Sequence, residues 1–324
     1  MVTRHLIIYG AGVMTSNIDY SIVIPVYNSE NTLDELAERI ANVFKGITEY
    51  YEVILVDDRS IDGSWQKIKG LHEKDRRMKI IRLTRNFGQH NALMCGFNQA
   101  QGNYIIIMDD DLQNPPEEIP KLINKIKDDF LVVYGEYEIK RHGTVENILS
   151  NFFKILKYNI LDIPKHIYVS NFAIIQSAVI KKIISIKTAY PFIAALIFKN
   201  VPLSKISNAN VVHSERKNGK SNYNLIRYIL FASNLLINHS FLPILFIWCL
   251  GILTTMLSIV FGIIALFKIS HRDFGVIGWD SSTIIITFLI GMILISLGII
   301  GEYLRRVLNE LSNEPQYIID EENL

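Results

Sequence analysis

A chain of 324 residues with a formal net charge of +1, 20% charged and 49% hydrophobic residues, has room for one large domain plus an accessory one, or for two domains. That charge balance excludes the global basic field of a nucleic-acid binder and the acidic tail of a solvating segment. The two cysteines, Cys95 and Cys249, give neither metal-ligand spacing nor a disulfide framework, which fits a reducing compartment.

Residues 1–18 form a leader whose apolar core is too short for a signal peptide. Its Gly10-Ala11-Gly12 turn lacks the third glycine of a dinucleotide-binding fingerprint, and a strand beginning by Tyr20 leaves no room for the helix that turn needs. From there strand and helix patterns alternate. YSIVIPVY (20–27) is a short apolar run ending at a turn, and NTLDELAERIANVF (31–44) places Leu33, Leu36, Ile40 and Val43 on one helical face with acids in its early turns. YEVILVDD (51–58) is a second strand, GSWQKIKGLHEKD a helix, KIIRLT (79–84) a third strand, QHNALMCGFNQAQ a helix and NYIIIMDDD (103–111) a fourth strand. This alternation predicts an α/β fold, a mainly parallel sheet covered on both faces, with function at the carboxyl ends of its strands. The polar motifs fall at those ends: Tyr27-Asn28, Asp57-Asp58, Arg85-Asn86 and Asp109-Asp110-Asp111.

The acidic triplet is the sharpest of them. Desolvating three adjacent carboxylates costs several kcal/mol unless something positive sits there, so the triplet is either a solvated turn capping the next helix or the holder of a cation. Side chains alternate along a strand, so Asp109 and Asp111 point the same way and Asp110 the other. The first and third then share one hard cation, Mg²⁺ or Mn²⁺, which favours carboxylate oxygens and keeps waters or phosphates as further ligands. Gln113 follows to add an oxygen or reach a phosphate, and NPPEE stops the strand. At VDDRSIDGS, a carboxylate ending the second strand can accept a hydrogen bond from a uracil imide N–H, while Asp62 and Ser64 suit the cap of the next helix.

ENILSNFFKILKYNIL (146–161) offers a broad apolar face, suited to the membrane surface or to ordinary core. In HSERKNGKSNY (213–223), Arg216, Lys217 and Lys220 surround Gly219, with Ser221 and Tyr223 following; such a loop either wraps a phosphate or meets anionic lipid. No charged residue occurs from Phe241 to Phe267 or from Ser281 to Gly301, and each run is long enough to cross a ~30 Å hydrocarbon core. Arg216, Lys217, Lys220 and Arg227 precede the first run and Arg305 and Arg306 follow the second, against only Lys268 and Arg272 in the connecting loop. The positive-inside rule places both ends of this hairpin in the cytoplasm. The expected organisation is a leader (1–18), a cytosolic domain with juxtamembrane helices (19–230), a membrane region (231–303) with spans at about 241–267 and 281–301, and a cytosolic tail (304–324). Gly291, Gly298 and Gly301 permit close helix packing and homo-oligomers.

In order along residues 19–319, SIVIPVYNSENTLDEL, VILVDDRSIDGS, LTRNFGQHNALMCGF, MDDDLQNPPEEIPKLI, VVYG, ERKNGKSNY and GIIGEYLRRVLNELSNEPQYII resemble the family-2 glycosyltransferases of GT-A fold, specifically the bacterial polyprenyl-phosphate glycosyltransferases related to dolichyl-phosphate mannose synthase. The resemblance implies inverting transfer of one sugar from a nucleotide donor, a UDP-sugar or GDP-sugar, to undecaprenyl phosphate at the cytosolic face of the bacterial inner membrane. It implies that Asp109 and Asp111, with Gln113 alongside, meet the donor's divalent cation. It further implies that Asp58 with Pro25, Tyr27 and Glu30 forms the nucleoside pocket, and that Arg216 and Ser221 contact acceptor or diphosphate phosphates, beside Lys220 and Tyr223. Two departures stand out. SNFAII (170–175) occupies the place of GDFRL, so Asn171 replaces an acid, and Glu136 stands near where relatives carry Arg after the YG pair. The Q-x-x-R-W segment of processive synthases is missing. The rival expectation is a non-catalytic membrane scaffold or lipid-sugar-binding subunit that keeps the fold.

Overall fold

A computed structural model of the chain describes residues 18–137, 158, 163–164, 166–186, 188, 191–214, 243–254, 256, 260, 279–311 and 315–324. The chain divides into two compact units, one of residues up to Asn222 joined by Pro315–Leu324, the other Tyr223–Glu314.

The first unit is built on an eight-stranded sheet. Strands β1 (Tyr20–Val26), β2 (Tyr51–Asp57), β3 (Met78–Leu83) and β4 (Tyr104–Ile107) are joined by helices α1 (Leu33–Phe44), α2 (Ser64–Lys74) and α3 (Gln89–Gln99). After β4 come α4 (Ile119–Ile126), β5 (Val132–Tyr137), β6 (Ala173–Gln176), α5 (Ser177–Ile184), α6 (Ile193–Asn200) and β7 (Ile206–Val211), and the chain's last strand, β8 (Ile319–Asn323), closes the other edge. The order is β7-β5-β6-β4-β1-β2-β3-β8. Only β6 and β8 run against the other six, since β6 is antiparallel to both β4 and β5, and β8 to β3.

The sequence explains the layering. All seven residues of β1 and of β2 are buried, as a strand covered on both faces requires. Alternate residues feed opposite cores. Ile22, Ile24 and Val26 join Leu36 and Ile40 of α1, Trp65 and Ile68 of α2 and Leu122 of α4. Val23, Ile54 and Val56 join Leu93 and Phe97 of α3, Ile180 of α5 and Ile197 of α6. Gly96 lets α3 lie close to the sheet, because a Cβ there would stand 2.3 Å from Val23 Cγ1. At the opposite end from the motifs, buried Glu52 accepts from Ser21 Oγ at 2.5 Å and from Gln101 N at 2.7 Å, and pairs with Lys79 Nζ at 2.7 Å.

The chain winds from β1 outward to β3 and then returns to the other side of β1 as β4. This reversal opens a crevice between the carboxyl ends of β1 and β4, the place where open α/β sheets bind ligands.

One expectation needs correction. The strand predicted over 103–111 ends at Ile107, where its pairing with Val23 and Ala173 ends, and Asp109–Asn114 form a turn with Leu112 in the left-handed region at φ 61. The acids are therefore placed by a loop rather than by strand alternation.

In the second unit, helix α7 (Pro243–Thr254) is apolar, and helix α8 (Trp279–Leu311) contains Phe288–Arg305, a stretch of mean hydropathy 1.7 with none of it buried. That stretch is long and apolar enough to cross a membrane. The expected span 281–301 lies within α8; most of 241–267 beyond α7 lies outside the described residues, as does 146–161 apart from Tyr158.

Candidate active site

Strained backbone marks the rim of the crevice. Asn28 (φ 55) follows β1, Arg59 (φ 61) follows β2 and Leu112 (φ 61) follows β4; non-glycine residues in this region cluster where structure serves a ligand. The first two loops are stitched together, for Asn28 N donates to Ser60 Oγ at 3.0 Å and Asn28 Oδ1 accepts from Ile61 N at 2.9 Å. Tyr27, half-exposed at 47%, projects from this rim. Pro25 lies buried in β1, past the end of its pairing with β4, where its missing N–H interrupts no ladder on that side.

The acids divide their attention. Asp110 turns toward β1, its Oδ2 accepting from Tyr27 N at 3.1 Å while its backbone oxygen accepts from Thr32 Oγ1 at 2.6 Å. Asp109 faces the other way, with Oδ1 accepting from Gln89 Nε2 at 2.7 Å and Oδ2 from Asn171 Nδ2 at 3.3 Å. Asp111 Oδ1 accepts from Gln113 N at 3.1 Å, which curls the turn. The opposed directions expected of Asp109 and Asp110 thus arise from loop hydrogen bonds.

Electrostatics follow from this crowding. Burial, then the charges of Asp111 and Asp110, push the Asp109 carboxyl up to about 7 against the donations of Asn171 and Gln89. Burial likewise raises Asp110 to about 6, opposed by hydrogen bonds from Ser29 and Tyr27 N. A pair of carboxylates held reluctantly ionised is the environment a cation relieves. Among the described residues, no group of three or more His, Cys, Asp or Glu side chains is placed to hold a metal ion. Asp109 feels the charge of Asp111, and two such carboxylates are the donor chemistry that a hard cation favours.

Asp58, buried at the end of β2, spends Oδ1 on Phe87 N (2.7 Å) and Oδ2 on Gly88 N (2.8 Å), capping the entry to α3. Gly88 sits at φ 90, a conformation that L side chains rarely adopt. Burial raises Asp58 to about 6 despite these bonds. Its neighbour Asp57 is fully buried and structural, accepting from Ser60 N at 3.1 Å and pairing with Arg82 Nε at 3.2 Å. Gly63, rather than Asp62 or Ser64, is the N-cap of α2; Asp62 just ahead of it accepts from Ser64 N at 3.0 Å and from Glu30 N at 3.2 Å. Glu30 Oε2 in turn accepts from Gly63 N at 3.0 Å, and a Cβ on Gly63 would lie 2.5 Å from that carboxylate.

The structure thus gathers Tyr27, Asp109, Asp111 and Gln113 around the β1–β4 crevice, with Asp58 below α3 and Glu30 on the β1–α1 loop. Arg216, Lys220, Ser221 and Tyr223 lie outside the described residues. Among the described residues before them, Ser214 N donates to Gln113 O at 3.0 Å, and the His213 ring lies 4.4 Å from that of Tyr137. Sequence reasoning missed Gln89. Its only signal was its position directly after Gly88, at the start of a helix aimed at the carboxyl end of the sheet.

Comparison with known proteins agrees with this architecture. The pattern described as glycosyl transferase family 2 matches residues 21–184. An uncharacterized glycosyltransferase of Bacillus subtilis is 32% identical over 313 residues, covering 94% of both chains. The undecaprenyl-phosphate 4-deoxy-4-formamido-L-arabinose transferase of Shewanella sediminis is 32% identical over 309 residues, covering 94% of this chain and 93% of its own. Among solved structures, glucosyl-3-phosphoglycerate synthase from Mycobacterium tuberculosis, in complex with Mn²⁺, uridine-diphosphate-glucose and phosphoglyceric acid, superimposes with a TM-score of 0.53 at 17% identity, covering 68% of this chain and 78% of its own.

Proposed function

The chain belongs to glycosyl transferase family 2, and from that premise we propose that this sugar-transferring enzyme moves a single sugar, with inversion, from a UDP-sugar to undecaprenyl phosphate at the cytosolic face of the bacterial cytoplasmic membrane. The observation that carries the proposal is the turn after β4, where Asp109 and Asp111 border the β1–β4 crevice in a chain that also holds a membrane-length apolar helix. Relatives of nearly equal length named for undecaprenyl-phosphate sugar transfer support the acceptor, and the excess of Lys and Arg flanking the two apolar runs supports a hairpin with the sheet unit in the cytosol.

In this reading Asp109 and Asp111, with Gln113 beside them, hold Mg²⁺ or Mn²⁺, which when bound neutralises the leaving diphosphate as a Lewis acid. Pro25, Tyr27, Glu30 and Asp58 border the nucleoside. Arg216, Lys220, Ser221 and Tyr223, in the basic loop of the sequence, receive the acceptor or diphosphate phosphates. A phosphate acceptor is already anionic at neutral pH, so no strong general base is needed to make it a nucleophile, and a neutral Asn171 is compatible with turnover.

Transfer of radiolabelled sugar into organic-extractable lipid tests the proposal. Purified protein receives undecaprenyl phosphate, Mg²⁺ or Mn²⁺ and a panel of UDP- and GDP-sugars. Label from one donor, lost with EDTA and with Asp109→Ala, is the expected result. Absence of label from every donor, together with no binding of UDP or GDP by the folded protein, would overturn it.

A further inference from the structure

We infer that Gln89 and Asn171 are paired positioning residues for Asp109, each donating one amide N–H to one carboxylate oxygen so that the acid meets a divalent cation in a single orientation. This deepens the site proposed above and rests on Asp109 being a metal ligand. The two amides reach the same carboxylate from opposite flanks. Gln89 opens α3, and its Nε2 lies 2.7 Å from Oδ1; Asn171 stands two residues ahead of β6, the antiparallel neighbour of β4, and its Nδ2 lies 3.3 Å from Oδ2. An ionised carboxylate only accepts, which fixes each amide with its nitrogen toward Asp109.

Both side chains are exposed, and among the described residues neither amide has another hydrogen-bond partner, so core packing does not account for them. Their neutrality is the informative property. A Lys or Arg at either place would compete with the cation for Asp109, and an acid at 171 would repel it. An amide holds the carboxylate without cancelling its charge, and the pair uses two of about four acceptor positions, leaving the rest for a metal. Asn171, where the resemblance leads one to expect an acid, is thus a working donor.

The test is Mn²⁺ binding by the full-length protein in detergent, with and without UDP, followed by electron paramagnetic resonance. Gln89→Ala and Asn171→Ala are each expected to raise the Mn²⁺ Kd about tenfold, as loss of an outer partner of a ligand does, and to broaden the bound-Mn²⁺ spectrum while leaving circular dichroism unchanged. Asn171→Asp is expected to weaken binding too, by losing the donor and adding like charge. Wild-type affinity in both alanine variants would overturn the inference. So would tighter binding by Asn171→Asp, which would show residue 171 facing the cation itself. Mn²⁺ binding that survives Asp109→Ala, or its absence from the wild type with UDP present, would instead bring down the metal-site reading, and the inference with it.

Discussion

Replacing Asp109 by Asn is expected to make the metal-free protein more stable while ending its activity. The folded-state pKa of Asp109 is raised from 3.8 to about 7, chiefly by burial. Between those values the folded protein keeps a proton that the unfolded chain has released, so stability falls as pH rises through that window and stays low above it. At ~1.4 kcal/mol per pH unit the ceiling is about 4 kcal/mol; because the crevice is partly open to solvent, a discounted figure of about 2 kcal/mol is appropriate. For a unit of this size that is a rise in Tm of roughly 4–8 °C. Thermal unfolding in mild detergent with EDTA, at pH 8 and at pH 4, measures it. The introduced amide has only one acceptor oxygen, but either exposed neighbouring amide can turn over to present its carbonyl. The variant should unfold several degrees higher at pH 8 and alongside the wild type at pH 4, where Asp109 is protonated and nearly isosteric with an amide. Added Mn²⁺ with UDP should raise the wild type alone. An equal or lower Tm for the variant at pH 8, or a gap that persists at pH 4, would show that the acid is not held under electrostatic stress.

Three further perturbations address the scaffold. Gly96→Ala should lower stability by about 1–3 kcal/mol despite the better helix propensity of Ala, because its Cβ would stand 2.3 Å from Val23 Cγ1 and α3 would have to lift from β1; chemical denaturation of the purified protein reads this. Lys79→Met should cost about 3 kcal/mol by stranding the buried Glu52 carboxylate, and adding Glu52→Gln should recover most of the loss in the same assay. Asp320→Ala, which removes the partner of Arg59, should change Tm by less than ~1 kcal/mol equivalent, since both side chains are about two-fifths exposed. Its effect should instead appear as a several-fold rise in donor KM with kcat little changed, because Arg59 sits in the left-handed turn directly after Asp57-Asp58.

How much of this was legible beforehand depended on whether local pattern or distant pairing set each feature. β1, β2, β3 and α1 to α3 were plain because continuous apolar runs and one-sided helices admit few alternatives, and their bounds match within a few residues. β8 was invisible: Ile-Asp-Glu-Glu-Asn is a poor strand by composition and becomes one by pairing with β3 while Arg59 and Lys69 meet Asp320 and Glu321. The acid motif was legible in kind, whereas its geometry was not. Strand alternation gave the right opposition of Asp109 and Asp110 for the wrong reason, since the partners that orient them, Tyr27, Gln89 and Asn171, come from residues 62 to 83 positions away, or 20 in the case of Gln89.

β8 also constrains how the protein is made. Its hydrogen-bonded partners on β3, such as Ile81 opposite Glu322, are synthesised some 240 residues earlier, and a sheet cannot straddle a bilayer. On the proposal that α8 crosses the membrane and that both flanks are cytosolic, the chain between Ser214 and Pro315 would cross an even number of times, with the uncharged run 241–267 as the proposed return partner. On that proposal, strand pairing would act as a checkpoint on insertion. A chain with one failed crossing would then strand its last residues on the far side of the membrane, leave the β3 edge open, and never bring Asp320 to Arg59.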